Sequence, residues 1–266
     1  MKNRDEIAVL GPLGTYTEAA ARKLFGDREF HHFDTVEEVF DYVDKGAGYG
    51  VVAIENSLEG SVNTNMDCLM EYDVKIFKEI VLDIHLCLMV FPGTKKEDVK
   101  TVISHPHALP QCKKFLKKKF PKAKLRPHES TAAAMKELSE QKLTDTAAIG
   151  PKESAALYGL QVLYENIEDA PSQTRFITIS KKEGAGKKTS IILALKDRPG
   201  ALYHALKDFA DQNINLTKIE SRPSKKKLGE YAFYIDFEGS LEDGKVKKAL
   251  DSLKEKTSFI KTLGSY

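Results

Sequence analysis

Short apolar runs bounded by glycine, proline and polar residues alternate along this chain with stretches whose apolar side chains recur at helical spacing. Ile7–Leu10 predicts a strand, and the alanine-rich segment 18–25, stopped by Gly26, predicts a helix. Asp34 or Thr35 caps a second helix that runs to about Lys45, with Glu38 as the capping-box partner of Thr35. Residues 49–55 read as a buried strand, 66–72 as a short helix, and 74–83 and 85–91 as extended chain. A second set of units follows: strand 101–104, helix 108–120 with Pro110 in its first turn, and an N-capped helix entered through Glu129-Ser130-Thr131. Strand 146–149, helix 152–158 and strand 161–165 complete it, and a β-rich run enters at Phe176.

These repeated strand–loop–helix units predict a two-lobed α/β domain with its ligand in the cleft. Residues 181–188, Lys-Lys-Glu-Gly-Ala-Gly-Lys-Lys, read as a polar linker that would let the following domain move. Beyond it come strand 189–195, helix 201–212, strands 214–222 and 231–237, amphipathic segment 241–254 and strand 258–263. That βαββαβ order describes a small ferredoxin-like domain, so the expected division is 1–182 and 189–266.

Composition narrows the function classes. A chain of 266 residues, 41% hydrophobic and 30% charged, suits an ordinary soluble globular protein. Its net charge of +2 is too balanced to argue for nucleic acid. Lys113, Lys114, Lys117, Lys118 and Lys119 crowd one helix, but with few interleaved aromatics they read as a solvated face. No apolar run approaches the roughly 18 residues that would span a membrane. The segment from Met1 to Glu6 is polar and passes straight into a strand, unlike a secretory leader. Cys68, Cys87 and Cys112 are widely spaced and suit thiols in a reducing cytosol, so a cytoplasmic location is expected. His105 and His107 have no third ligand nearby in sequence, so no metal is expected.

Four segments carry candidate chemistry. Gly11-Pro12-Leu13-Gly14-Thr15-Tyr16-Thr17 makes a strand-to-helix turn whose free N–H groups, with Thr15 and Thr17, can hold an anion. It lacks the third glycine of a dinucleotide fingerprint and can equally be a structural turn. The polar stretch from Asn56 to Asn65 directly follows a strand, where α/β sheets place ligands. Glu129-Ser130-Thr131 opens a helix and offers a second anion site. In Ser172-Gln173-Thr174-Arg175-Phe176, a hydroxyl stands beside a guanidinium whose planar donors suit a carboxylate.

Taken in order, these segments resemble the prephenate dehydratase family, in the form with a C-terminal ACT domain. The resemblance is carried by Gly11, Gly14-Thr15-Tyr16, Glu55-Asn56-Ser57, Glu59-Gly60-Ser61-Val62-Asn63 and Asp67. It continues through Ser104-His105-Pro106, Ala108-Leu109, Gln111-Cys112, Glu129-Ser130-Thr131-Ala132-Ala133 and Ala148-Ile149-Gly150. Tyr158-Gly159-Leu160, Asn166-Ile167-Glu168-Asp169 and Thr174-Arg175-Phe176 complete the first domain. Arg198-Pro199-Gly200-Ala201-Leu202 and Glu220-Ser221-Arg222-Pro223 look like the two ACT motifs. Two positions depart from the family pattern: Asn65 stands where threonine is usual, and Ser172 where asparagine is usual.

The resemblance implies a two-lobed, periplasmic-binding-protein-like catalytic domain followed by the ferredoxin-like ACT domain. It implies conversion of prephenate to phenylpyruvate with loss of water and carbon dioxide, without metal, nucleotide or other cofactor. Thr174 and Arg175 are then the catalytic pair, with Thr15, Asn56, Ser57, Ser130, Thr131 and Ser172 as substrate contacts and Phe176 packed beneath. Paired ACT domains are expected to bind L-phenylalanine at their interface through Gly200, Ala201, Leu202, Glu220, Ser221, Arg222 and Pro223, in a homodimer or homotetramer without nucleic-acid or membrane partners. Two alternatives stay open: an arogenate dehydratase, favoured if Glu59 faces the ammonium end of the substrate, and a non-enzymatic cleft-type binding module with an ACT sensor.

Overall fold

The computed structural model describes residues 6–196, 198–224 and 230–266. The segment read above as lacking a leader pattern lies, up to residue 5, outside the described residues. The first lobe contains β1 (Ile7–Leu10), α1 (Tyr16–Phe25), β2 (Phe30–Phe33), α2 (Val36–Asp44) and β3 (Tyr49–Asn56), then β4 (Gly60–Ser61), α3 (Asn63–Glu71) and β5 (Lys75–Asp83). The second contains β6 (Cys87–Val90), β7 (Thr101–Ser104), α4 (Ala108–Gln111), α5 (Lys113–Lys119) and β8 (Lys124–Pro127), then α6 (Thr131–Glu140), β9 (Thr146–Gly150), α7 (Glu153–Leu157) and β10 (Gln161–Tyr164). The chain then returns to the first lobe as β11 (Gln173–Ser180), which lies between β3 and β5 and is antiparallel to both.

The first-lobe sheet runs β2-β1-β3-β11-β5, and the second runs β10-β6-β9-β7-β8. A single apolar cluster joins the lobes, with Ile7, Val9 and Phe176 from one side and Leu88, Val102 and Ile149 from the other. Two elements escape the hydrophobic pattern. Two histidines interrupt the apolar pattern of β2, Phe-His-His-Phe, and β8 is exposed at every position, so neither shows a buried face in sequence. The helix expected over 108–120 is broken at Cys112. There Asp169 supplies the substitute contacts: its N–H bonds the Gln111 carbonyl at 2.6 Å, and its carboxylate accepts from the Lys114 and Phe115 amides at 2.7 and 3.2 Å.

The C-terminal domain is β12 (Lys188–Leu195), α8 (Ala201–Asp211), β13 (Leu216–Pro223), β14 (Tyr231–Glu238), α9 (Gly244–Lys256) and β15 (Thr257–Ser265). Its strands form an antiparallel sheet in the order β13-β14-β12-β15, the expected ferredoxin-like arrangement. α8 and α9 cover one face. The opposite face is docked on the first lobe: Ile192, Ala232, Tyr234 and Leu263 share one cluster with Ile54, Met66, Leu69 and Ile76. The linker correspondingly does not give the freedom its composition suggested. A Cβ at Gly184 would stand 2.4 Å from the Phe77 carbonyl oxygen, and one at Gly186 would overlap Tyr266. These glycines are there for close packing between domains.

Candidate functional site

Parallel strands deliver their following loops to one edge, and here the two lobes meet edge to edge. The turn after β1 touches the segment after β9: Ser154 Oγ donates to the Gly14 carbonyl at 2.7 Å, and the Tyr158 hydroxyl to the Leu13 carbonyl at 2.6 Å. The loop after β3 reaches α4, with Gln111 Nε2 at 3.4 Å from Glu59 Oε1. Between these contacts lie the ends of β3 and β11.

Asn56 organises that region. Its side-chain oxygen accepts from the amides of Leu58 and Glu59 at 2.9 and 3.1 Å, which fixes which way the carboxamide faces. Its nitrogen consequently donates to both Ser172 Oγ at 3.0 Å and Thr174 Oγ1 at 2.9 Å. Each hydroxyl is thereby an acceptor toward Asn56 and keeps its own proton to give away. Ser57 closes the loop onto β11, since its Oγ accepts from Gln173 N and its N–H donates to the Gln173 carbonyl. Phe176 is fully buried in the apolar cluster that joins the lobes.

Ser130 caps α6 by accepting from Ala133 N at 2.9 Å. The first-turn amides of Thr131 and Ala132 lie beyond any intrahelical acceptor, so this helix start keeps donors for an anion. Thr131 sits at the carboxyl end of β9, where a Cβ at Gly150 would stand 3.3 Å from Thr131 Cβ. The turn after β1 differs in part. Glu18 accepts from Gly14 N at 2.8 Å, while Thr15 accepts from Glu18 N and donates to the Leu10 carbonyl. Glu18 thus takes the Gly14 amide and Thr15 caps the helix, while the first-turn amides of Tyr16 and Thr17 lie beyond any intrahelical acceptor, as at α6. Glu18 also holds Arg22 and His32. Burial works against its ionisation, but Gly14 N–H, Arg22 and His32 outweigh it and hold its pKa below the usual carboxylate value. His105, near His107, is driven toward the neutral imidazole by burial and by His107, against the pull of Glu59.

Arg175 is not in the cleft. Successive strand residues face opposite sides of a sheet, so Thr174 and Phe176 look one way and Arg175 the other. Behind the sheet its Nε contacts Glu79 at 2.6 Å, one terminal nitrogen Asp236 at 2.5 Å, and the other the Tyr266 hydroxyl at 2.7 Å. Burial opposes its charge, yet Asp236, Tyr266 and Glu79 raise its pKa above the ordinary guanidinium value. With every nitrogen engaged, this side chain has no fork to offer a substrate carboxylate beside Thr174. Sequence reasoning missed Glu79, Asp236 and Tyr266, although the alternation of β11 already separated Thr174 from Arg175.

The ACT motifs are divided in the same manner. Gly200, Ala201 and Leu202 line a cavity of about 670 Å³, together with Tyr231, Phe233 and Phe259. Gly200 is left-handed, with φ of 77°, and starts α8. On β13, Ser221 and Pro223 are exposed, whereas Glu220 and Arg222 turn toward the first lobe. Glu220 bonds Ser61, and Arg222 bonds Asn63 and Asp67. Those two are docking residues in this arrangement, not cavity residues. Asn65 donates to the Ala53 carbonyl inside the first lobe and fixes the start of α3 against β3.

Fold and site together define a two-lobed α/β domain in which the Ser172 and Thr174 hydroxyls meet Asn56 where β3 and β11 end, carrying a ferredoxin-like module on its back. Residues 7–184 match the prephenate dehydratase family model, and residues 189–255 match the ACT domain model. The chain belongs to the prephenate dehydratase family. It is 49% identical to the prephenate dehydratase of Methanocaldococcus jannaschii, over 96% of this chain and 95% of that one. It is 37% identical to arogenate dehydratase 5 of Arabidopsis thaliana, over 98% of this chain and 67% of that one. A solved prephenate dehydratase from Arthrobacter aurescens, in complex with L-Phe, superposes with a TM-score of 0.90 at 36% identity, covering 97% of this chain and 89% of that one.

Proposed function

We propose that this protein converts prephenate to phenylpyruvate in the cleft at Asn56, Ser172 and Thr174. The observation that carries this reading is the fixed Asn56 carboxamide, which leaves both hydroxyls with a proton directed away from Asn56. In the reaction the ring carboxylate leaves as carbon dioxide, its bonding pair enters the ring, and the ring hydroxyl leaves as hydroxide, which takes a proton from solvent to become water. Aromatisation drives it, so the protein's task is to hold a dianion and assist the leaving oxygen. Thr174 donates to that oxygen, and positioned donation of this kind is worth about 10²–10⁴ in rate. With Arg175 withdrawn, the first turn of α6 at Thr131 is the anion-binding element, Ser57 shapes the rim, and Ser130 sets the helix start.

L-phenylalanine is proposed as the feedback ligand, seated against Gly200, Ala201 and Leu202, with Ser221 and Pro223 facing a second ACT domain. That arrangement makes the active species a homodimer or homotetramer, acting in the cytoplasm. Residues 1–182 form the catalytic portion and 189–266 the regulatory one. Glu59 at the cleft entrance favours a second reading, because a carboxylate there suits the ammonium of arogenate. The test is phenylpyruvate formation from prephenate compared with phenylalanine formation from arogenate, each with and without L-phenylalanine. Turnover of prephenate at the higher kcat/KM supports the first reading, and the reverse order supports the second. Binding of either substrate without turnover overturns both.

A further inference from the structure

The two strands that carry the cleft residues carry a second matched pair on their other side. Thr174 pairs with Asn56 across β11 and β3, and the next pair in register is Arg175 with Glu55. The first pair faces the cleft and the second faces the C-terminal domain. There Arg175 holds Asp236 and the Tyr266 hydroxyl, while Lys218 holds Glu55 at 2.9 Å. Ser190 completes the cluster, bonding both Asp236 and the Tyr266 hydroxyl at 2.5 Å. Lys188 sits on Glu79, Glu55 lies 3.8 Å from Arg175, and Lys218 also reaches Glu220, so three cations are interleaved with four carboxylates around a guanidinium only 11% exposed. A buried, fully paired cluster of this kind has one good geometry and specifies position more than it adds stability. The β3–β11 register also slips between Arg175 and Phe176. Such bulges are points where a strand bends and re-aims a neighbouring side chain.

The strands that grip Arg175 also line the C-terminal cavity. β14 supplies Tyr231 and Phe233 to the cavity and Asp236 to the cluster; β12 supplies Ala194 and Leu195 to the cavity and Ser190 to the cluster. The two ends are separated by roughly 10–13 Å of extended chain. We propose that Arg175 is a positioning residue: Asp236 and Tyr266 hold it from behind, so the C-terminal domain sets the aim of Thr174 and transmits its own ligand state to the cleft. Its regulatory half rests on the reading of L-phenylalanine as the feedback ligand. A ligand that changes the pitch of β12 and β14 acts on β11 with no separate pathway, provided it binds the two arrangements unequally.

The test uses full-length Asp236→Asn and Tyr266→Phe, with kinetics on prephenate and calorimetry with L-phenylalanine. Both should lower kcat about tenfold while KM stays within about twofold, the split expected when aim rather than binding is lost. Both should also bind L-phenylalanine within about twofold of the unchanged protein while inhibition at saturation falls about fivefold or more. Tyr266→Phe removes a single oxygen and reports even where Asp236→Asn fails to fold. Unchanged kcat together with an unchanged phenylalanine response in a folded variant overturns the proposal. If the unchanged protein ignores L-phenylalanine, the feedback reading fails on its own account, and the kcat arm still decides the positioning role.

Discussion

Replacing Thr174 with valine keeps the shape of the side chain and removes the hydroxyl. Two consequences separate cleanly. For stability, Asn56 loses one acceptor at 2.9 Å but keeps the other, Ser172 at 3.0 Å. An unmet buried donor costs about 1–3 kcal/mol, and a half-buried carboxamide with a second partner belongs at the lower end. About 1 kcal/mol corresponds to roughly 2–4 °C in Tm for a protein of this size class. For catalysis, the leaving oxygen loses its donor. Removing one such donor costs about 10²–10³ in kcat, or about 2.7–4 kcal/mol of barrier. Thr174→Ser keeps the oxygen and should stay within about tenfold of the unchanged enzyme. The assay is phenylpyruvate formation at saturating prephenate, with thermal melts alongside. Thr174→Val within about threefold of full activity, or Thr174→Ser as impaired as Thr174→Val at equal Tm, would refute the assignment.

Arg175→Met should act on stability before substrate affinity, costing about 3–5 kcal/mol because Asp236 loses its cation and Glu79 keeps only Lys188; urea midpoints check this, and an unchanged midpoint with a sharply raised KM would return the guanidinium to the cleft. A chain ending at Ser180 should lose solubility and activity together, since Ile54, Met66, Leu69 and Ile76 share their cluster with residues beyond that point; size-exclusion chromatography and turnover test it, and a monodisperse, fully active fragment would contradict the docking described. Glu18 has a depressed folded pKa, so its contribution is present above the unfolded carboxylate pKa and is lost as pH falls through the folded value. Glu18→Gln should therefore destabilise near neutrality and flatten the decline in urea midpoint on acidification; a parallel decline in both proteins would show that Glu18 is not its source.

Apart from β2 and β8, the strand and helix order was legible because the elements keep apolar faces at their own periodicity, and the Thr35–Glu38 capping box formed as its spacing implies. Asn56 was legible as a polar residue directly after a buried strand. What escaped were features decided by contact between distant segments. Asp169 interrupts the helix after Ala108, and nothing near Cys112 in sequence signals it. Gly184 and Gly186 have the composition of a flexible tether, yet they are set against Phe77 and Tyr266, which only the domain packing brings near. Arg175 was misplaced for a different reason. Its chemistry suits a carboxylate, and that suitability was satisfied by Asp236 and Glu79 behind the sheet. Strand alternation was the available signal, and it outranks side-chain chemistry in deciding which residues can share a site.

The position of β11 has a bearing on how the chain assembles. This strand fills the gap between β3 and β5, yet it is synthesised after the whole second lobe. Until residues 173–180 leave the ribosome, the first lobe has an open slot in the middle of its sheet, flanked by two unpaired strand edges. The second lobe has all its strands by residue 164 and can complete its sheet earlier. Non-local pairing of this kind slows folding, and exposed strand edges invite association with other chains. The segment that seals the slot is the one that bears Ser172 and Thr174. Closing the sheet and completing the cleft are therefore one event, and a nascent first lobe cannot bind or turn over substrate ahead of its own structural integrity.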